Sequence, residues 1–383
     1  MFKVLVACFD NWNTLAEVPF VLKNGGTTVD VYCSSKSWLL SNSYYDKWIE
    51  SSADKIVYKD QLIDLVRTGE YQWVILGDEP LIKFMNEEVH EESVFVKMLP
   101  IIKIEHRHML SSKDGLAEFC ESTGIDAPGY TTYNGKDDLE RIKTKLNFPV
   151  INKLDFSWGG VGMFVSYSYE EFLTNLHKIP ENQNVLIQEY IEGDEIPVEA
   201  LFYQGELLVY NTSKIVEYDK DKFTYSTRRS YYDNSAIKPL LIHLGKTLGL
   251  NGFANIAYMH DAKKDKYYLI EVDTRPNSWT AYGRFIGRDF SEGVKRIVSG
   301  DYVNGYIDMP MKQPSSEVAL FDKDIRRALW KNEIKGICRW VFNYKGYWRF
   351  LPCYDKKLSK RIFSGIWNEV FMYKWKKITG KNK

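Results

Sequence analysis

Several short stretches of this 383-residue sequence carry side chains whose types and spacing suit work on an anion. At residues 148–162, FPVINKLDFSWGGVG, an apolar run ends in Lys153, and a turn with Ser157, Gly159, Gly160 and Gly162 follows. Glycines let backbone N–H groups approach an anion, successive N–H groups form a concavity for it, and a lysine adds a point charge suited to phosphate. Neither G-x-x-x-x-G-K-[ST] nor G-x-G-x-x-G is present, so the two common phosphate loops are excluded. The stretch reads as strand, glycine-rich turn, strand; the plain alternative is a structural hairpin with Trp158 covering a core edge. Downstream, Glu271 and Asp273 stand two apart in an apparent strand. Their carboxylates then share a face, which is how a divalent cation is held between protein and phosphate oxygens. Arg275, two further on, suits bidentate pairing with a carboxylate or an acyl phosphate. Between these lie an acidic stretch, VLIQEYIEGDEIPVEA at 185–200, and the basic Lys214, Arg228 and Arg229. Their plain readings are a solvated acidic turn and a solvated basic loop.

These residues need elements to position them. Residues 1–104 alternate strand-like pieces at 3–7, 28–32, 55–58 and 73–76 with helical spacing at 13–23 and 61–67. Such alternation predicts a parallel sheet with crossover helices, whose ligand crevice opens at the carboxyl ends of the strands. Gly77-Asp78-Glu79 sits at one such end, either contacting a second substrate or making an ordinary strand-to-helix turn. Further on, Ser112 is a helix cap, Gly124 ends that helix, and helical spacing recurs at 137–145, 169–176, 239–248 and 286–300. Strands at 198–203 and 206–210 form a hairpin around Gln204-Gly205, and strands at 253–259 and 267–272 lead to the carboxylate pair. Residues 215–232 read as a mobile loop that closes over phosphates or an anionic acceptor.

Composition narrows the function classes. The chain has 51 basic and 51 acidic residues, which gives no support to a polyelectrolyte-binding role. Five scattered cysteines without C-x-x-C read as reduced thiols of a cytoplasmic protein rather than a disulfide frame or zinc site. The start MFKVLVACFD does not read as a signal peptide, and no apolar run approaches the ~20 residues of a membrane span. Among six histidines only His106-x-His108 has metal-like spacing, and it reads as incidental.

In this order and at these separations, the motifs resemble the ATP-grasp superfamily, the carboxylate–amine and carboxylate–thiol ligases, over residues 112–301. Within it the chain looks most like ATP-grasp proteins of cell-envelope and polysaccharide gene clusters, D-aspartate ligase-like enzymes among them. The resemblance implies a mixed α/β and α+β fold. Residues 1–110 would be a parallel α/β (pre-ATP-grasp) domain and 111–185 an ATP-grasp subdomain with the glycine-rich flap. Residues 186–314 would be the C-terminal ATP-grasp subdomain with the metal site, and 315–383 a basic aromatic extension. ATP and Mg2+ (or Mn2+) are implied, with small-molecule carboxylate and amine substrates, no nucleic acid, and a homodimer.

Residue by residue, Lys113, just before the helix that precedes the Gly124-Ile125-Asp126-Ala127-Pro128 turn, matches the first nucleotide-contacting lysine. Lys153 matches a phosphate-binding and catalytic lysine, with Ser157, Gly159, Gly160 and Gly162 as the flap. Glu189 and Ile191 would offer backbone groups to adenine, Gln188 would lie beside its exocyclic amine, and Glu195 would take the ribose. Lys214 matches the phosphate-side lysine, Glu271 and Asp273 the metal ligands, and Arg275 a catalytic arginine. Arg228, Arg229, Asn277 and Ser278 would meet substrate. One departure stands out: Ala257 occupies the neighbouring-strand position where the family carries Asp, Glu or Gln, with Asn255 two earlier on the same face. The implied activity is ATP-dependent activation of a carboxylate as acyl phosphate, captured by an amine. A catalytically weakened nucleotide-binding scaffold and an ATP-grasp phosphotransferase are the alternatives.

The tail has its own pattern. Ile362, Phe363, Ile366, Trp367, Val370 and Phe371 form a helical apolar stripe. Lys356, Lys357, Lys360, Arg361, Lys374, Lys376 and Lys377 flank it. It reads either as an interfacial helix on the inner face of an anionic membrane or as a helix packed on the protein's own body.

Overall fold

The computed structural model describes residues 2–68, 70–135, 138–157, 160–178, 184–343 and 346–371. Its first sheet is parallel: β1 (Lys3–Ala7), β2 (Thr28–Cys33), β3 (Lys47–Glu50) and β4 (Trp73–Leu76), in the order β3-β2-β1-β4. Both faces of β1 are covered, Val4 and Val6 by one core and Leu5 and Ala7 by another, so it reads as a continuous apolar run. The strand order reverses beside β1, which opens a crevice at the carboxyl ends of β1 and β4. Asp78 shapes that crevice. Its Oδ2 accepts from the N–H groups of Phe9 (2.6 Å) and Asp10 (3.1 Å), and its Oδ1 caps the helix Glu79–Glu88 by accepting from Leu81 N (2.9 Å).

Two expectations fail here. The strand expected at 55–58 is the first turn of the helix Lys55–Arg67, because Asp54 accepts from the N–H groups of Ile56 and Val57. The strand is β3 instead, a short edge strand exposed at most positions, with no apolar alternation to read. The helix expected at 13–23 is a 3-10 turn, Asn13–Leu15, followed by a helix, Val18–Asn24, with Pro19 in its first turn, where proline is tolerated.

The second sheet is antiparallel: β5 (Tyr130–Tyr133), β6 (Val150–Leu154), β7 (Phe164–Ser166) and β8 (Val185–Glu189), in the order β5-β8-β6-β7. Val150, Leu154, Val185 and Ile187 pack one face against Ile142 and Phe172 of the covering helices. Alternation leaves Ile151, Lys153, Leu186 and Gln188 on the other face. The boundary expected at 185 cuts at the first residue of β8, which pairs with β5 and β6, so this strand belongs to the flap's subdomain.

The third sheet holds β9 (Asp194–Tyr203), β10 (Glu206–Tyr218), β11 (Ser226–Tyr232), β12 (Gly252–Asp261), β13 (Lys266–Asp273) and β14 (Ser315–Ala319). Their order is β13-β12-β9-β10-β11-β14, antiparallel throughout. The helix Ile237–Leu248 buries Leu241, Leu244 and Leu248 against Ile196, Val198, Ala200 and Phe202 on one face. Residues 215–232, expected as a mobile loop, are mostly strand: the end of β10, a turn at 219–225, and β11.

The segment after residue 314 is not a separate extension. β14 pairs with β11 and continues the sheet, and the helix Phe321–Trp330 follows directly. In the later helix Lys356–Ile366, Leu358, Ile362 and Ile366 share one core with Val4, Val6 and Leu39 of the first domain. Arg361 donates to Ser37 O (3.0 Å) and Lys36 O (2.9 Å). Ile362, Ile366 and Val370 therefore face the protein's own body and not a bilayer, while Phe363 and Trp367 stay exposed. Lys374, Lys376 and Lys377 lie outside the described residues. Among the described residues no helix is long and apolar enough to cross a membrane.

Candidate active site

β6 carries Lys153 from the open face of the second sheet to β13 of the third. Its Nζ lies 3.5 Å from Ile270 O, and the side chain is 8% exposed. Burial pulls its pKa down to about 8, against the opposing pull of Glu271. Glu271 shifts the other way: partial withdrawal from water first, then the Asp273 carboxylate, raise its pKa, while the residue keeps a face open to solvent. The pleat of β13 places Glu271 and Asp273 on one face, as their spacing predicts. Glu195 on β9 joins the group; burial raises its pKa while Arg229 and Lys153 pull it down.

The helix Lys113–Thr123 ties the flap's base to this group. Ser112 Oγ caps it, accepting from Gly115 N (2.9 Å), and donates to Asp155 Oδ1 (2.8 Å). Lys113 Nζ donates to Ser157 O (2.9 Å) and Asp155 O (3.2 Å). Ser157 Oγ donates to Leu154 O (3.2 Å). Only glycine fits at Gly160, where φ is +77° and a Cβ would stand 2.5 Å from Phe223 O in the turn after β10. The flap thus reaches across to the third sheet. Gly162 is likewise at positive φ, and Gly159 lies outside the described residues.

Gln188 is buried on the Lys153 face, and its Oε1 has no hydrogen-bond partner among the described residues. An orphaned buried acceptor on the face that carries Lys153 suits a ligand's N–H donor, such as the amino group of a nucleobase. The Glu189 N–H already donates to Gly129 O (2.8 Å), and its carboxylate turns to Asn147 Nδ2 (2.8 Å), so its backbone carbonyl is what remains for a base. Ile191 follows just beyond β8.

At the far end of β13, Arg275 Nη2 donates to Asp273 Oδ2 (3.1 Å) and its Nε to Glu79 Oε2 (3.1 Å). Glu79 comes from the crevice of the first sheet. The strand-to-helix turn reading of Gly77-Asp78-Glu79 holds, since Asp78 builds that turn, and Glu79 leaves it to pair with Arg275. Burial raises the Glu79 carboxyl, and Asp273 adds to this. Arg229 faces the same side and pairs with Glu199, which also accepts from Tyr231 OH (3.3 Å). Glu199 was not among the expected site residues; its signal was its even spacing from Glu195 along β9. Asn277 Oδ1 holds its own turn, accepting from Trp279 N (2.8 Å), while Ser278 Oγ is buried with no partner among the described residues.

Two expected residues are not brought here. Ser213 and Tyr231 are cross-strand partners on the Glu199 face, so Lys214, the next residue, projects from the opposite face. Its Nζ is 4.0 Å from Asp194 Oδ2. Arg228, next to Arg229, also points away, donating to Asp324 Oδ2 (3.0 Å). Ala257 stands directly opposite Glu271 in the β12–β13 register, and Asn255 lies between Asp273 and Glu199.

These residues fit a magnesium nucleotide. Among the described residues no group of three or more His, Cys, Asp or Glu side chains forms a complete metal cage. Two carboxylates on one face leave the remaining positions to phosphate oxygens and water, the usual arrangement for Mg2+. A Glu271 carboxyl whose pKa is raised must give up its proton before it can take a metal. We expect Mg-ADP binding to weaken as pH falls through the raised Glu271 value, by at most about tenfold per pH unit, and to release a proton in that range. Calorimetry in buffers of different ionisation enthalpy counts that proton.

Residues 110–278 match the family model described as ATP-grasp domain. Carbamoyl-phosphate synthase of Methanobrevibacter smithii is 30% identical over 212 residues, covering 52% of this chain and 55% of that protein. The carbamoyl phosphate synthase large chain of Clostridium botulinum strain Kyoto is 27% identical over 284 residues, covering 68% of this chain and 26% of that one. The chain thus spans about half or less of the length of these relatives. Among solved structures, N5-carboxyaminoimidazole synthetase of Staphylococcus aureus complexed with ADP superposes with a TM-score of 0.62 at 12% identity, covering 87% of this chain and 86% of that one. L-amino acid ligase of Bacillus licheniformis gives 0.56 at 16% identity, covering 77% and 73%. These two likenesses carry the fold. Residues 110–278 are an ATP-grasp domain, with the Lys153 sheet and the Glu271–Asp273 sheet facing each other across its site.

Proposed function

We propose that the chain is an ATP- and Mg2+-dependent ligase that activates a carboxylate as an acyl phosphate and joins it to an amine. The observation that carries this is Lys153 reaching across from one sheet to the strand that bears Glu271 and Asp273, with Arg275 at that strand's end. Lys113 and Lys153 neutralise phosphate charge, and Glu271 and Asp273 would hold Mg2+, which when bound would supply charge neutralisation at the phosphates. A substrate carboxylate oxygen attacks the γ-phosphorus and the bond to ADP breaks. The amine nitrogen then attacks the carbonyl carbon, phosphate leaves and the nitrogen gives up a proton. Arg275 is placed to stabilise the negative charge that passes through both steps. Positioning and charge account for this chemistry without a protein nucleophile.

The relatives named above act in their own reactions as carbamoyl-phosphate synthases, a carboxyaminoimidazole synthetase and an amino acid ligase, which supports the class. The sequence resemblance to cell-envelope and polysaccharide ligases directs the choice of acceptors. Ala257 favours a second reading, a nucleotide-binding scaffold whose metal site is weakened, since an Ala beside Glu271 supplies no oxygen.

The test is incubation with Mg-ATP and pools of amino acids (D-aspartate included), sugar acids and amino sugars, reading ADP and new masses. ADP that appears only with a carboxylate and an amine together, alongside a condensed mass, is the expected result. A phosphorylated product without condensation identifies a phosphotransferase instead. ATP binding without turnover in any pool supports the scaffold, and Ala257→Glu is then expected to restore turnover.

A further inference from the structure

The helix Ile334–Phe342 has two apolar sides. Trp340 points inward, with no exposed surface and its ring 5.1 Å from that of Phe321, and Gly336 lets Ala328 approach on the same side. The opposite side meets water, yet Ile334 is 76% exposed, Val341 52% and Phe342 80%, with the exposed Cys338 among them. At 3.6 residues per turn these four positions fall within about 100° of arc, centred away from Trp340. A surface helix ordinarily turns charged and polar residues to that side. Here charge only edges it. Lys331 precedes the helix, and Lys335 and Arg339 run along one flank, all three exposed. Arg339 has a distant partner in Glu317 (3.8 Å), and Glu333 is taken by Arg327 Nη1 (2.7 Å).

The helix Lys356–Ile366 repeats the arrangement. Lys356, Lys360 and Phe363, with Trp367 just past its end, recur at helical spacing on the side away from Leu358, Ile362 and Ile366, and all four are exposed. Both helices pack on the helix Phe321–Trp330.

We propose that this segment docks on an anionic lipid surface, with Ile334, Val341 and Phe342 entering the boundary between headgroups and acyl chains and the lysines meeting lipid phosphates. The proposal goes beyond the ligase reading and does not depend on it. It also differs from docking through the tail's apolar stripe, whose Ile362 and Ile366 are buried in the protein.

Charge selects this occupant. Residues 330–383 hold 14 Lys and Arg against 3 Asp and Glu, so the rest of a chain with no net charge is acidic by the same margin. A two-fold contact with a second copy would set these lysines against their own counterparts. Residues 372–383 add lysines of the same sign, so charge does not draw them over the patch. Eleven of the 14 cations are lysine, which protein interfaces deplete in favour of arginine. Nucleic acid would meet aliphatic Ile334 and Val341, which have no planar face for a base. A lipid surface suits every part: apolar side chains sink into the boundary, and lysines reach up to the headgroups along their stems.

Flotation of the full chain with vesicles tests this. Vesicles of phosphatidylcholine with about 30% phosphatidylglycerol are compared with phosphatidylcholine alone, at about 0.1 M and about 0.5 M salt. The chain is expected to float with the anionic vesicles at the lower salt, about tenfold more than with the neutral ones or at the higher salt. Ile334→Gln with Phe342→Gln should lower that binding about tenfold or more, and so should Lys331→Glu with Lys335→Glu. All four side chains are exposed, so thermal melting and Mg-ADP binding are expected to match the parent in both variants. Should one variant fail to fold, the other carries the test. The proposal is overturned if the chain floats with no vesicle, if it floats equally with both lipids, or if the folded variants float as the parent does. It is overturned in favour of a polyelectrolyte if a random-sequence DNA duplex binds at the lower salt and the anionic vesicles do not. It is overturned in favour of a second copy if the chain is a dimer without lipid and the Ile334→Gln with Phe342→Gln variant is a monomer. Flotation involves no nucleotide, so failure of the ligase reading and failure of this surface show up in different experiments.

Discussion

Lys153→Met is expected to lower nucleotide affinity by about a hundredfold or more and, at the same time, to raise stability at neutral pH. The two effects have one cause. Lys153 is held nearly out of water, and burial pulls its pKa from 10.5 to about 8. A lysine with a depressed folded pKa favours the folded state above its unfolded pKa, and that contribution is lost as pH falls through the folded value. At pH 7 the wild-type protein therefore carries the full penalty of a charged, buried ammonium. Met fills a similar volume without charge, so the variant should gain on the order of 1–3 kcal/mol at pH 7. The gain should vanish above about pH 10.5, where the wild-type lysine is neutral in both states. On the proposed placement, nucleotide phosphates would make that buried charge favourable, so the same substitution is expected to remove binding. Denaturant melts at pH 7 and above pH 10.5, with Mg-ADP calorimetry, check both halves. Retained tight nucleotide binding in a folded Lys153→Met would sink this placement of the site.

What was legible in the sequence follows from which physical signals are local. Ser112 could be read as a cap because the cap and the amide it accepts from are three residues apart. Glu271 and Asp273 could be read as one face because the strand period is two. The neighbours Arg228 and Arg229 cannot both face one site from a strand, and the error lay in reading 215–232 as loop. The register shifts on β10 after Ile215 break the alternation that would have marked it as strand. Lys214 shows how a single position in register sends a lysine to the opposite face. Other features were not local at all. β14 pairs with β11 across more than eighty residues of chain, and Glu79 meets Arg275 across |i−j| = 196. No spacing rule reaches that far. The apolar stripe of the tail was legible as a helix, but a stripe does not say what covers it, and here the first domain does.

Removing Asp324 is expected to destabilise the protein by about 3–5 kcal/mol and to free the segment after residue 314 from the sheet. Asp324 has no exposed surface, and it sits where that segment meets β11. Its Oδ1 accepts from Thr227 Oγ1 (2.9 Å) and from Arg327 Nε and Nη2 (3.2 Å each), and its Oδ2 accepts from Arg228 Nη2 (3.0 Å). Arg228 and Arg327 are themselves buried. Asp324→Asn keeps the shape but removes the fully buried carboxylate that Arg228 and Arg327 share, leaving them only the more exposed Glu217, Glu317 and Glu333, and that loss of buried counter-charge is the main source of the destabilisation. The reasoning can be checked by removing the charges together. A triple variant, Asp324→Leu with Arg228→Met and Arg327→Met, buries no charge at this point and should recover most of the stability lost by Asp324→Asn, as measured by denaturant midpoint. If the triple variant is no more stable than the single one, packing rather than charge holds the segment in place. Should Asp324→Asn fold with wild-type stability, Arg228 does not depend on Asp324, and the reassignment of Arg228 from substrate binding to structure would fall with it.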